Sequence, residues 1–395
     1  MPDHDVVILG AGPTGTTAAR LLTQRGIGVT VFDREAGPTF KIGESLLPEG
    51  IRLCHQLGLE EQLHEAGFVV KNGARFILTN DGAEDRFDFQ DAWRADRCSF
   101  AYQVKRQEFD ALLARHAESG GADIQWSTHV RDVEFRTSDI LITLGDGRQC
   151  TTRYIADATG PAHFLAKRFN LRRPNPTLRK VSLFTHCAGI PRASGRAEGD
   201  ITILWSESGW FWVIPFSDGI TSVGLIGDQD IVDAAGKSDQ ERFDNLCSQS
   251  ASHKSLFDDQ EQLMPVQRRA NWAYRCDPIA GENFVLLGDA AGFIDPVFST
   301  GVYLGQQGAF FFDEFLGPAL AAGDSPSAED RENFNRRMRT ALDRFQQFVN
   351  QFYDSSFVDN IIRSRKRAGL RQSITSLLAG DVFYEDNPML RMGII

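Results

Sequence analysis

Apolar positions along this chain fall into three regimes. At the start, Asp5 to Leu9 (D-V-V-I-L) is a continuous apolar run, the mark of a strand buried in a parallel sheet. A helical pattern follows over Thr16 to Gln24 and stops at Gly26; Val29 to Phe32 is a second strand, closed by Asp33. Similar runs return at Ile155 to Gly160 and Phe284 to Leu287. From Pro174 to Pro265 the pattern alternates. Val181–His186, Ile201–Ser206 and Phe211–Ile214 read as strands, and Trp210–Pro215 with Thr221–Ile226 as a hairpin around Ser217-Asp218-Gly219. Arg192 to Gly199 is a polar loop, one helix over Gln240–Ser255 covers the sheet, and Arg268 to Tyr274 leads back as a strand. The extended segment Gly67 to Phe76 is expected to be the first strand of this alternating sheet. In the third regime Phe334, Met338, Leu342, Phe345, Phe348, Val349 and Phe352 recur at helical spacing, which predicts an amphipathic tail helix.

Glycine turns give the first regime its chemistry. Gly10-Ala11-Gly12-Pro13-Thr14-Gly15 sits between strand and helix, and Asp33 ends the next strand. Gly10 makes the tight turn, Gly12 lets the backbone approach a pyrophosphate, Gly15 lets the helix pack on the sheet, and Asp33 accepts from an adenosine ribose. Further nucleotide-facing turns lie at Lys41 to Pro48, Asp157 to Gly160 and Gly288-Asp289, and Arg106 heads a helix carrying Phe109, Leu112 and Leu113. Contacts spread over so much of the chain favour FAD over a nicotinamide cofactor, which keeps its contacts in the first half. The loop from Asp295 runs into a small-residue helix starting near Gly301. A helix start offers free N–H groups to an anion. Local physics leaves halide and the flavin ring both open there.

Composition narrows the setting. In 395 residues, 42% apolar, no run reaches bilayer-spanning length, and the chain enters a strand pattern at once, so a cytoplasmic enzyme without membrane anchor is expected. Six scattered cysteines read as reduced thiols, with no metal-ligand spacing. A net charge of −11 argues against nucleic acid or an acidic membrane as partner.

The turns at Gly10–Gly15, Asp157–Gly160 and Gly288-Asp289-Ala290 resemble the FAD-dependent group that holds aromatic hydroxylases, geranylgeranyl reductases and halogenases. Three further stretches resemble the FAD-dependent halogenases in particular: Gly43-Glu44-Ser45 with Pro48, Trp210-Phe211-Trp212-Val213-Ile214-Pro215, and Asp295-Pro296-Val297-Phe298-Ser299-Thr300-Gly301-Val302. The resemblance covers nearly the whole length. It implies an α/β fold: a Rossmann-type FAD-binding domain (1–70, 98–165 and 276–325), an antiparallel-sheet substrate domain (71–97 and 166–275) and a C-terminal helical segment (326–395). FAD would lie against Gly10, Gly12, Pro13, Thr14, Gly15, Asp33, Arg34, Glu44, Ser45, Arg106, Val130, Gly160, Gly288, Asp289, Gly301 and Val302. Chloride or bromide would bind at Thr300 and Gly301, and Lys71, in a K-x-G-x-x-F setting, would hold the hypohalous acid. Trp210, Trp212, Pro215 and Phe298 would separate flavin from substrate. Tryptophan halogenases carry a Glu where Phe298 stands and are longer, so the resemblance is to the phenol- or pyrrole-type enzymes, whose aromatic substrate is free or tethered to an acyl carrier protein. Reduced FAD would come from a separate flavin reductase. The alternative is an aromatic hydroxylase reduced in place by NAD(P)H. A lone His186 in a strand reads as a satisfied sheet residue. Tyr353, Phe357 and Leu377 to Phe383 are expected to cap the substrate entrance. The basic run Arg363 to Arg371 reads as a solvated face that could dock an acidic carrier.

Overall fold

The computed structural model describes residues 2–393, except 176–177, 207, 258–259, 271 and 364–367. The buried apolar runs form the first sheet. His4–Leu9 lies between Val29–Phe32 and Gln149–Asp157, all parallel, with Asp123–Gln125 outside Val29–Phe32 and Phe284–Leu286 pairing parallel to Gln149–Asp157. The antiparallel strands Ile140–Leu144 and Val130–Phe135 extend this sheet. Val6, Val7 and Ile8 are fully buried, as a central parallel strand requires. The Pro13–Gln24 helix packs against this sheet, and the Thr300–Phe311 helix packs on that helix in turn.

The alternating segment forms the second sheet, ordered Glu261–Gln262, Lys180–Ala188, Thr221–Asp228, Gly209–Pro215, Ile201–Ser206, Gly73–Leu78, Glu84–Asp88. It is antiparallel except for Gly73–Leu78 against Ile201–Ser206. Beside the main core it has a smaller one of its own, around Val181, Leu183, Phe211, Val223, Phe243 and Leu246. The tail helix runs Ala328–Phe352, started by a Ser327/Asp330 capping box, and Ser355–Arg363 and Ala368–Leu378 follow.

Three expectations change. Gly67 to Phe76 is not one strand. Val69–Lys71 pairs with Ala101–Gln103 in a separate ribbon, and the large sheet starts at Gly73. The break is at Asn72, whose N–H leaves the ladder for Asp200 Oδ1 at 3.0 Å. Gln240 to Ser255 is two helices, Asp239–Cys247 and Ala251–Phe257. Ser250 starts the second by accepting from the His253 N–H at 3.2 Å. Arg268 to Tyr274 is also divided: Gln267–Ala270 pairs with Val181–Phe184, while Tyr274–Cys276 joins Arg172–Pro174 and Gly292–Phe293 in a third small sheet. Cys54, Cys187, Cys247 and Cys276 are buried free thiols, and Cys98 and Cys150 are half-buried ones. No helix among the described residues is long and apolar enough to cross a membrane.

Candidate active site

The nucleotide end is built by close backbone approaches. Gly10 has φ 97°, and a Cβ there would lie 2.5 Å from the Ala158 carbonyl oxygen; a Cβ on Gly15 would lie 2.0 Å from the Gly10 oxygen. Those two glycines are required by packing. Gly12 is different: nothing lies within 4 Å of its Cβ position, it caps the Pro13–Gln24 helix, and no side chain satisfies that helix start. Open space over free N–H groups fits a pyrophosphate. Asp33 stands beside it, accepting from the Ala11 N–H at 2.7 Å and the Glu35 N–H at 2.9 Å. Thr14 turns its hydroxyl toward Gly288 and Gly305, where a Cβ would come within 2.6 and 2.1 Å of it. Arg34 is exposed and paired with Glu35, and Val130 is a buried strand residue.

The turn at Gly43-Glu44-Ser45 is held from two sides. Arg106 donates to the Ile42 carbonyl at 2.9 Å and forks onto Asp110 at 2.8 and 3.0 Å. His186 Nε2 lies 2.8 Å from Glu44 Oε1. His186 is therefore more than a satisfied sheet residue: it ties the large sheet to this turn. The other oxygen of Glu44 is buried with no partner, and a polar ligand fits that orphan. Asp289 lies toward the same turn, with its carboxyl pushed up to about 6 by burial against the opposing charge of Arg106. Its carbonyl is held by the Tyr274 hydroxyl and by His163, two residues that no motif singled out. Gly160, with φ 60°, starts the turn that leads to His163.

Lys71 is 2% exposed. Its ammonium donates to Ser45 Oγ and to the Leu46 carbonyl, both at 2.9 Å, and stands 5.5 Å from the Phe89 ring centre. Burial brings its pKa down from 10.5 to about 7, opposed by Asp200. Two acceptors leave one N–H of the ammonium for a third.

The Asp295–Val302 loop is set by its first residue. Asp295, 1% exposed, accepts from the Val297 N–H at 3.0 Å and caps the short turn Pro296–Phe298. Ser299 follows at φ 58°, and the helix begins at Thr300 with no side-chain cap. Gly301 is tight: a Cβ there would be 3.2 Å from the Phe293 ring and 3.9 Å from Asp289 Oδ1. Trp210, Trp212 and Pro215 are buried on one strand, with the Trp212 indole N–H on Ser222 Oγ at 3.1 Å. The Trp210 ring centre is 5.9 Å from that of Trp212 and 6.2 Å from that of Phe352. Phe298 stacks on Phe348 at 3.9 Å. Beyond it lies an apolar cavity of about 20 Å³, lined by Phe298, Phe352, Phe357, Ile362 and Ile374 among others, too small for an aromatic ring as it stands. Phe357 of the tail thus lines the same cavity as Phe298. Nearby Tyr303 is 2% exposed with its hydroxyl unpaired.

Residues 5–90 and 83–361 match the sequence model of the tryptophan halogenase family. The chain belongs to that family. A 1H-pyrrole-2-carbonyl-[peptidyl-carrier protein] chlorinase of Pseudomonas fluorescens is 27% identical over 96% of this chain and 90% of its own length. Among solved structures, a flavoprotein/dehydrogenase of Cytophaga hutchinsonii aligns with TM-score 0.90 and 30% identity over 99% of this chain and 96% of its own. A myxobacterial chondrochloren halogenase aligns with TM-score 0.82 and 28% identity over 98% and 92%. The chain is a flavin-dependent halogenase, an FAD- and halide-using oxidoreductase, and the hydroxylase alternative falls away. Of the basic run in this halogenase, only the ends are described. Residues 364–367 lie outside the described ones, Arg363 pairs with Asp359 and Asp81, and Arg371 pairs with Asp85.

Proposed function

We propose that this enzyme chlorinates or brominates an electron-rich aromatic ring, a phenol or a pyrrole, presented on an acyl carrier protein or free. The observation that carries the reading is the buried Lys71 ammonium with a donor to spare. FAD, reduced by a separate reductase, supplies with O2 the oxidation of halide to hypohalous acid. Thr300 and Gly301 offer backbone N–H groups to the halide at an uncapped helix start. The Trp210–Pro215 strand and Phe298 keep substrate from the flavin. Lys71 then holds the hypohalous acid. As an ammonium it hydrogen-bonds the acid's oxygen; as a free amine it exchanges N–H for N–halogen, with water as the leaving product. A folded pKa of about 7 keeps both forms populated at neutral pH. The ring attacks the held halogen and loses a proton. Phe298 in place of an acid/base side chain suits a ring activated by its own hydroxyl or nitrogen, and the carrier-dependent relative, matched nearly end to end, supports a tethered substrate.

The test is mass spectrometry of products from purified protein with FAD, a flavin reductase, bromide or chloride, and free and carrier-tethered phenols and pyrroles. Halogen isotope patterns are expected. In Lys71→Ala they should fall at least about a hundredfold while reduced flavin is still oxidised. Oxygen insertion without halogen, or halogenation indifferent to Lys71, would overturn the reading.

A further inference from the structure

The Tyr353 hydroxyl joins two parts of the site that lie far apart in sequence. Tyr353 is the C-terminal cap of the Ala328–Phe352 helix through its backbone N–H, while its hydroxyl donates to Asp295 Oδ2 at 2.9 Å and accepts from the Trp210 indole N–H at 3.1 Å. The other oxygen of Asp295 caps the Pro296–Phe298 turn through the Val297 N–H. That turn ends on the left-handed Ser299, which aims the first N–H groups of the next helix. One hydroxyl therefore fixes the carboxylate from which the whole loop is hung. The same junction is filled by rings: Phe352 stands edge-on to Phe298 at 5.4 Å and to Trp210 at 6.2 Å. Lys71 is outside this network, since its hydrogen bonds go to Ser45 and Leu46.

We propose that Tyr353 is a positioning residue for halide: through Asp295 it sets the aim of the Thr300 and Gly301 N–H groups and locks the loop against the Trp210 strand. The proposal rests on the halide assignment made above. Removing the hydroxyl leaves Asp295 Oδ2 and the Trp210 N–H buried without partners, and a carboxylate so stranded regains one only if the loop moves. Lys71 and Trp212 keep their own hydrogen-bond partners. The loss is therefore expected in halide affinity rather than in the maximal rate.

The experiment uses the full chain with FAD and a flavin reductase. Hypohalous acid is trapped by a soluble diketone as bromide is varied, and melting temperature is recorded alongside. Tyr353→Phe is expected to raise the bromide KM about tenfold, with kcat within about twofold. Arg344→Met supplies the comparison. Arg344 lies on the same tail helix, donates to the Val382 carbonyl at 2.6 Å and pairs with Glu385, with no hydrogen bond to the loop among the described residues. Its loss should leave the bromide KM where it was. KM belongs to folded, FAD-loaded molecules, so it stays readable if Tyr353→Phe lowers the yield. An unchanged KM with lowered melting temperature, or a fall in kcat at constant KM, would overturn the proposal. Gly301→Ala separates the two layers, because its methyl crowds the Phe293 ring at the helix start. If it shifts KM and Tyr353→Phe does not, only the positioning role fails. If neither does, the halide assignment fails with it.

Discussion

Lys71 shows how a residue can be unstable where it is needed. In the unfolded chain it titrates near 10.5, and burial brings the folded value to about 7. Below pH 7 both states hold the proton, and the full cost of a buried ammonium weighs on the fold. Between pH 7 and 10.5 the unfolded chain binds more protons than the folded one, so this contribution to stability improves as pH rises; above 10.5 it is flat. Lys71→Met removes the charge along with two hydrogen bonds, whose loss offsets part of the gain. Its melting temperature relative to the parent should be most favourable at pH 6 and decline toward pH 10, as scanning calorimetry at the two pH values would show. A difference that grows with pH would contradict this account of the lysine. Glu44 carries a related tension, with one oxygen on His186 and the other buried and unpaired. The sequence showed Lys71 and Glu44, because each sits in a short motif. It did not show His186 as the partner of Glu44, or Tyr353 as that of Asp295, because those pairs are 142 and 58 positions apart and leave no local pattern.

Among the elements, those with their own periodicity were legible and those set by a distant partner were not. The glycine-led strand–helix–strand unit, the Trp210 hairpin and the tail helix all appear where the pattern put them. The Asn72 break was hidden, since the group that draws its N–H out of the ladder, Asp200, comes from the far side of the large sheet's sequence. Ser250 split a helix that periodicity alone would join. The tail helix does more than cover the core. Phe345 is fully buried and meets the Tyr303 ring edge-on at 6.2 Å, while Phe348 and Phe352 press on Phe298. Phe345→Ala should therefore destabilise by about 3–5 kcal/mol, seen as an earlier midpoint in denaturant. A cost under about 1 kcal/mol would mean that the helix is held mainly elsewhere.

Across the whole molecule, the Glu44 turn is tied to the Lys71 ribbon through Ser45 and to the large sheet through His186, and the tail covers the apolar side at Phe298. The distribution of sulfur belongs to this scale. Burial raises the pKa of Cys54, Cys187, Cys247 and Cys276 and keeps them as thiols rather than thiolates. A thiol reagent should reach Cys98 and Cys150 first, and the other four only as the chain unfolds. Rapid reaction of all six in the native protein would contradict this burial. A catalyst that makes bleach beside its own core thus keeps four of its six thiols indoors. Its working life then depends on how seldom those doors open, and turnover by turnover the fold serves as the enzyme's antioxidant.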